Sequence, residues 1–172
     1  YSLFLLIYGP VSDRFGRRTL LKIGISIYII ASLMCALASS AEALIAFRIL
    51  QAAGGACASS LALAISRDVF ETRDRERVLA YIGVVIALSP MLAPIIGGWM
   101  LAFFSWNWIF VALAGLGAIA FADVYRMKET LAPYSRTTQV AIVTSYAKLI
   151  RNRPYLGFVF LVSFSLVPVF AF

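Results

Sequence analysis

Long apolar runs alternate with short polar segments along the whole chain. Four of the runs are long enough to cross the hydrocarbon core of a bilayer as a helix, which takes roughly 20 residues. They cover residues 19–39, 43–66, 78–102 and 109–125. A shorter apolar run lies at each end of the chain, at 1–8 and from 155 onward. The pattern predicts four complete membrane spans with a partial span on each side.

The composition is that of a membrane protein. The chain is 62% hydrophobic and 13% charged, whereas soluble proteins are roughly 25% charged. Because apolar runs of membrane length recur several times, we predict an all-α protein that crosses the bilayer repeatedly. Both ends of the chain lie within apolar runs, so we expect a fragment of a larger, transporter-like protein.

Basic residues are confined to one set of connections. All of the 15 Lys and Arg except Arg48 lie in the segments 14–22, 67–77 and 126–153, which alternate with connections that lack them. The positive-inside rule makes the basic segments cytoplasmic. The net charge of +7 is therefore a signal of topology. Because the charges are spread over three segments, we expect the lipid bilayer as a partner and no nucleic acid.

No set of residues typical of an enzyme or a metal site is apparent. The sequence has no His, which excludes imidazole-based catalysis and metal binding. Cys35 and Cys57 lie inside apolar runs, where small packing residues are common. The acidic residues lie in connections or close to the ends of the spans. We therefore expect no enzymatic activity and no cofactor.

Two groups of charges near the ends of spans have structural interpretations. The segment 67–77 mixes acids and bases and is predicted to be a solvated loop. Within it, Arg67 and Asp68 could help to position this loop against the turn that precedes the first span. Asp123 and Arg126 are three residues apart, which favours an ion pair at the membrane surface.

The longest polar stretch is 126–154. In it, Val143, Tyr146, Ala147 and Ile150 are spaced i, i+3, i+4, i+7, which gives one apolar helical face. This spacing, flanked by basic residues, predicts a short amphipathic helix on the cytoplasmic interface. A solvated linker is the alternative.

The turn before the first span concentrates glycine and charge. Its candidate functional residues are Gly9, Asp13, Arg14, Gly16, Arg17 and Arg18. Gly16 can adopt a positive φ and reverse the chain tightly, and Asp13 can make charge-assisted contacts with arginines or backbone amides. Such contacts can be remade when helices move. The turn is therefore a candidate gating loop, and a solvated turn that only sets topology is the alternative.

Arg48 is the one cationic residue inside a long apolar run. An arginine at this depth costs about 2.5 kcal/mol or more on insertion scales, so it suggests a function. Gln51 lies one turn further on, and residues 52–60 are all small, which suits close packing or a cavity wall. The alternative is that the Arg48 side chain extends to the outer interface.

The third span contains Pro90, Pro94, Gly97 and Gly98. The prolines remove two backbone donors and favour a bend. Ser89, Ala93 and Gly97 recur every four residues and form a face suited to close helix crossing. A bent, closely packed helix can act as a hinge or a seal during transport.

Three of these motifs resemble, in order and spacing, those of the major facilitator superfamily. The turn 9–18 resembles the loop between the second and third helices of that family. Residues 48–56 resemble the fourth-helix pattern R-x-x-Q-G-x-G-A, with Ala52 at the first Gly. Residues 89–98 resemble the fifth-helix antiporter motif G-P-x-x-G-G, with Ala93 at its first Gly.

The resemblance implies a helical bundle that this chain covers from the end of the second to part of the seventh helix. Residues 1–125 would belong to the N-terminal six-helix bundle, 126–154 would be the cytoplasmic connection between the halves, and 155–172 would start the C-terminal bundle. In the family, Arg48 would take part in proton coupling beside Gln51, the turn 9–18 would gate the transporter, and the proline and glycine motif would form a hinge.

One branch of the family is more similar still, the bicyclomycin/chloramphenicol-resistance (Bcr/CflA) drug-efflux transporters. The similar sequences are those of residues 8–18, 66–68, 88–99 and 129–131. This resemblance implies a twelve-helix exporter in a bacterial inner membrane that exchanges small amphiphilic drugs for protons. The proton gradient would be its energy source, and we expect the full-length protein to act as a monomer. A facilitator that imports sugars or other small metabolites is the alternative.

Overall fold

The structure is a computed structural model, and it describes residues 4–5, 8, 11–12, 16–127 and 157. Four long α-helices account for most of this part of the chain. They are α1 (Arg17–Ala36), α2 (Ala41–Val69), α3 (Thr72–Phe103) and α4 (Asn107–Arg126). All four are long and apolar enough to cross a membrane. The prediction of four spans and an all-α membrane protein is confirmed.

Local chemistry sets the ends of the helices. Gly16 precedes α1 with φ 92°, a backbone conformation that glycine adopts at little cost. Its N–H donates to the Ser12 carbonyl over 3.1 Å, and its carbonyl accepts from the Leu20 N–H over 3.2 Å. Ser40 caps α2, since its hydroxyl accepts a 3.2 Å hydrogen bond from the Ala43 N–H. The positive φ predicted at Gly16 is therefore present.

The segment 67–77 is not a loop, and that prediction is wrong. Only Phe70 and Glu71 separate α2 from α3, and the remaining residues are helical. A helix of 29 residues such as α2 is about 43 Å long, well beyond a hydrocarbon core of roughly 30 Å. The charged residues therefore form helix ends that extend past the membrane. The Arg75 Nη2 donates to the Phe70 carbonyl over 3.3 Å and bridges the break.

The core lies where α1 meets α2 and α4. Gly24 on α1 and Gly54 on α2 bring the two backbones into close contact. A Cβ added at Gly54 would lie 2.6 Å from the Tyr28 backbone nitrogen, and one at Gly24 would lie 2.5 Å from the Cys57 Sγ. Cys57 is fully buried, and its Sγ donates to the Leu20 carbonyl over 3.3 Å. Cys35 is buried too, and both thiols are free, which confirms that they are packing residues.

The third helix stands apart from this core. It continues through Pro90 and Pro94 without interruption, and its contacts with the other described helices are few. A Cβ at Gly97 or Gly98 would meet no described atom within 4 Å. The close helix crossing predicted for this face is therefore not made within the described ranges, and its role as a hinge stays a prediction.

The chain divides into two units, Tyr1–Ser135 and Arg136–Phe172, and the helices above belong to the first. Several predictions fall outside the described residues. They concern Gly9, Asp13 and Arg14, the amphipathic helix within 126–154, and the partial span at 155–172.

Candidate functional site

Arg48 is an exposed residue of α2 whose side chain is held by two neutral partners. Its Nη1 donates a 2.8 Å hydrogen bond to the Gln51 Oε1, one turn along α2. Its guanidinium carbon lies 5.4 Å from the centroid of the Phe110 ring on α4, within the range of a cation–π contact. Arg48 is seven residues into α2, about 10 Å from the start of the helix. Because Gln51 lies deeper still, this geometry favours a cavity-lining arginine over one that extends to the outer interface.

Gln51 connects Arg48 to α1 through a chain of hydrogen bonds. The Gln51 Nε2 donates to the Ser32 Oγ over 2.7 Å, and the Ser32 Oγ donates to the Tyr28 carbonyl over 2.7 Å. Ser32 is fully buried and Gln51 is 4% exposed. A buried polar group that loses its partner costs about 1–3 kcal/mol. The chain therefore fixes the Gln51 side chain and, through it, the Arg48 guanidinium.

Ser32 is a site residue that the sequence analysis missed. It lies in an apolar run of α1 and has the same local pattern as an ordinary helical serine, whose hydroxyl bonds the carbonyl four residues earlier. The signal that distinguishes it is its contact with Gln51, 19 residues away on another helix. A single sequence does not reveal which faces of two helices meet.

Two cavities meet at Arg48. One, of about 350 Å³, is lined by Phe4, Leu44, Ile45, Arg48, Ile49 and Ala52. The other, of about 240 Å³, is lined by Tyr28, Arg48, Gln51, Ala52, Gly55 and Leu113. Arg48 and Ala52 border both. The small side chains at 52 and 55 leave this space open, as the run of small residues predicted. The arrangement places one cation on the wall of otherwise mostly apolar cavities.

A second cluster joins the start of α1 to the ends of α2 and α4, and we call this end of the helices the basic end. Arg17 forms an ion pair with Asp68, and the two side chains are 12% and 27% exposed. The Arg18 Nη2 donates to the Tyr125 carbonyl over 2.6 Å, and the Lys22 Nζ lies 4.5 Å from the centroid of the Tyr125 ring. Cations at the C-terminal ends of helices interact favourably with the helix dipole. The ion pair links Asp68 to the first residue of α1, and the role suggested for Arg67 and Asp68 beside the turn stays a prediction.

The opposite end of the bundle is held by Asn107, whose side chain donates to the Ala36 carbonyl. This contact and those of the basic end fix the antiparallel order of α1 and α4. The described residues 17–22 and 67–77 therefore lie at the same end of these helices.

The predicted site residues fall into separate groups. Arg48 and Gln51 are brought together, Arg17 and Arg18 meet the ends of α2 and α4, and Gly16 precedes them at the start of α1. The proline and glycine residues of α3 join neither group within the described residues.

The expected pair of Asp123 with Arg126 is not formed among the residues that the structure describes. Both side chains are exposed, and an exposed pair gains too little in water to hold two side chains in one geometry.

Comparison with known proteins identifies the family. Residues 1–172 match the Major Facilitator Superfamily model. An uncharacterised MFS-type transporter of Bacillus subtilis, YdgK, is 36% identical over 165 residues, which are 92% of this chain and 41% of that protein. The multidrug resistance protein MdtL of Escherichia fergusonii is 35% identical over 127 residues, which are 73% of this chain and 32% of that protein. MdtL of Escherichia coli strain K12 / DH10B matches with the same identity and coverage.

The matched part of the chain thus spans 32–41% of the length of these relatives. The match to the family covers every residue of the chain, and the four apolar helices agree with it. The chain belongs to the major facilitator superfamily and is a multi-pass membrane protein.

Proposed function

We propose that this chain belongs to a transporter that exports small amphiphilic drugs across the bacterial inner membrane in exchange for protons. The multidrug resistance named for MdtL supports export of drugs over import of metabolites. The amino-acid sequences of 8–18 and 88–99 support membership of the Bcr/CflA branch. The basic segments would face the cytoplasm, and the helices would rock about a central cavity to alternate access.

The observation that carries this proposal is Arg48 at the junction of two cavities. A permanent cation in a membrane-spanning helix is costly and marks a functional site by default. Its partners Gln51 and Phe110 are neutral, so its charge remains available to an anionic group that enters the cavities. Arginine keeps its proton, so coupling would act through a carboxylate that Arg48 attracts when the carboxylate is ionised and releases when it is protonated.

The turn 9–18 would act as a latch on the cytoplasmic side. Arg17 and Arg18 already tie the start of α1 to α2 and α4, which gives the turn a rigid support. Asp13 would then close on a neighbouring helix in one state and release it in another. The motif Pro90, Pro94, Gly97 and Gly98 would serve as the hinge or seal, because its small face is free of described neighbours.

Drug accumulation in cells tests the proposal. Bacteria that express the complete reading frame should accumulate less of several fluorescent, drug-like dyes than control cells. An uncoupler that collapses the proton gradient should abolish the difference. Because coupling needs the cation, Arg48→Ala should remove at least nine tenths of the uncoupler-sensitive export. A tenfold lower rate corresponds to an activation free energy that is higher by about 1.4 kcal/mol.

Arg77→Ala is the matched control, since Arg77 is an exposed arginine of α3 that borders neither Arg48 cavity. It should export at the level of the unmodified protein. Uncoupler-sensitive export that Arg48→Ala leaves unchanged would show that Arg48 has no part in coupling.

A further inference from the structure

Three cations of the basic end gather around Tyr125, in the groove between α1 and α4. The Arg18 Nη2 donates to the Tyr125 carbonyl over 2.6 Å, and the Lys22 Nζ lies 4.5 Å from the centroid of the Tyr125 ring. Arg126 follows as the last residue of α4, and both it and Tyr125 are exposed. The groove therefore carries three positive charges around one aromatic side chain, at the level where the helices end.

The cations on α1 repel one another. Arg18 and Lys22 are four residues apart, which puts them on the same face of the helix, and like charges at this spacing destabilise a helix. Both lie near the start of α1, where the helix dipole is positive and where no acid occupies the first turn. An anion held between these two cations and Arg126 relieves the repulsion. The groove is therefore complementary to negative charge.

The described acids of the neighbouring helix ends lie on other faces. Asp68 pairs with Arg17, which is one residue before Arg18 and therefore about 100° away around α1. Asp123 precedes Tyr125 by two residues, which is about 200° around α4. The other described acids near the basic end lie before α3 or in its first turns, at Glu71, Asp74 and Glu76. The groove face thus presents its cations together with an aromatic ring.

Apolar side chains follow the cations toward the middle of both helices. On α1, Ile23, Ile30 and Leu33 are exposed. On α4, Ile119 is exposed and lies seven residues before Arg126, on the same face and about 10 Å further from the helix end. Exposed cations, then a tyrosine, then aliphatic side chains match the order of headgroup, interface and hydrocarbon in a bilayer.

We propose that the groove formed by Arg18, Lys22, Tyr125 and Arg126 binds the headgroup of an anionic phospholipid. The phosphodiester oxygens accept hydrogen bonds from the Lys22 ammonium and the Arg126 guanidinium. The acyl chains lie along the exposed aliphatic faces of α1 and α4. A lipid fits this surface better than a soluble phosphate, because it covers the apolar side chains as well as the cations.

The leaflet agrees with this occupant, since the positive-inside rule assigns basic ends to the cytoplasmic side, where anionic lipids attract lysines and arginines. The inference goes beyond the proposed function, because lipid binding at the basic end does not depend on what the protein transports.

Lipid binding to the purified complete protein tests the inference. Native mass spectrometry in detergent compares phosphatidylglycerol with phosphatidylcholine of identical acyl chains, so that only the headgroup differs. We expect phosphatidylglycerol to bind at least tenfold more tightly. Lys22→Gln and Arg126→Gln should each lower this preference about fivefold, because each cation near the surface adds an attraction of that size. Arg77→Gln removes an exposed arginine of α3 and should change the preference by less than about twofold.

Two further measurements make the outcome decisive. Lys22→Arg keeps the charge and should retain the preference, which separates loss of charge from loss of fold. Millimolar inorganic phosphate should leave bound phosphatidylglycerol in place. Equal binding of the two lipids, or a preference that both glutamine variants leave unchanged, would overturn the inference, since another part of the complete protein would then cover the groove. Displacement of the lipid by inorganic phosphate would overturn it too, because the site would then recognise an anion alone.

Discussion

Ser32 shows how one hydroxyl can help to hold a charged side chain on another helix. It accepts a hydrogen bond from Gln51 and donates one to its own helix, and Gln51 holds Arg48. The three side chains therefore act as one unit, and the burial of Ser32 and Gln51 makes each bond costly to break. At this scale the site is defined by contacts between α1 and α2, and Arg48 alone was visible as a candidate from its charge.

Removal of the Ser32 hydroxyl should destabilise the protein and misplace Arg48. In Ser32→Ala the buried Gln51 Nε2 loses its acceptor, so the free energy of unfolding should fall by about 1–3 kcal/mol. Thermal unfolding in detergent measures the change. Ser89→Ala is the control, because the Ser89 hydroxyl donates to the Val85 carbonyl in the same way but is exposed and accepts nothing from another described helix.

The control should stay within about 0.5 kcal/mol of the unmodified protein, as is usual for surface positions. Ser32→Thr retains the hydroxyl and should recover much of the lost stability. Equal stability of Ser32→Ala and Ser89→Ala would show that the bond to Gln51 contributes nothing.

Helix ends are the part of the elements that the sequence predicts least well. The apolar runs located all four spans to within a few residues, because the bilayer demands about 20 apolar residues in each. The high charge of 67–77 predicts a solvated loop, which the structure does not show. Acids and bases interspersed along 72–77 suit an exposed helix equally well, and the α3 helix indeed begins at Thr72.

Pairing across helices was also only partly predictable. Asp68 follows directly on the second span, and its nearness to the basic turn could be inferred from topology. Its particular partner, Arg17, depends on how α1 and α2 rotate against each other, which the close contact of Gly24 and Gly54 sets. The same reasoning failed for Asp123 and Arg126, where sequence spacing alone suggested a pair.

The Arg17–Asp68 pair should couple α1 to α2 at the basic end. The double-mutant cycle of Arg17→Gln and Asp68→Asn isolates this contribution, measured by thermal unfolding of both single variants and the double variant. We expect a coupling energy of about 1 kcal/mol, within the range for residues that share an ion pair. Glu76→Gln serves as the control partner, because Glu76 is an exposed residue of α3 and should show no coupling with Arg17→Gln.

A coupling energy near zero for Arg17 and Asp68 would contradict a stabilising contact between the two helices. It would leave the turn 9–18 without the rigid support that a latch requires.

The molecule as a whole is organised by the alternation of basic and uncharged connections. The basic end contains the starts of α1 and α3 and the ends of α2 and α4. The contact of Asn107 with Ala36 lies at the opposite end of these helices. The described residues of the three motifs lie apart: Arg17 and Arg18 at the basic end, Arg48 part-way along α2, and the prolines and glycines on α3. Alternating access requires all three to respond to one movement.

The orientation of the chain can be measured with single cysteines. Ser105→Cys lies in the uncharged turn between α3 and α4, and Glu71→Cys lies between α2 and α3. In intact cells a membrane-impermeant maleimide should label Ser105→Cys, whereas Glu71→Cys should react only after permeabilisation. The native Cys35 and Cys57 are fully buried and should remain unlabelled, which makes the unmodified protein the control. The reverse pattern would contradict the cytoplasmic placement of the basic segments.

The most direct test of the central claim is drug-driven proton movement in vesicles. The complete protein is reconstituted into liposomes that contain a pH-sensitive dye, and a gradient of an exported drug is imposed without any pH gradient. Antiport predicts that the drug moving one way drives protons the other way, so the internal pH shifts in the unmodified protein and at most one tenth as fast in Arg48→Ala. Drug movement that leaves the internal pH unchanged in the unmodified protein would contradict proton-coupled export.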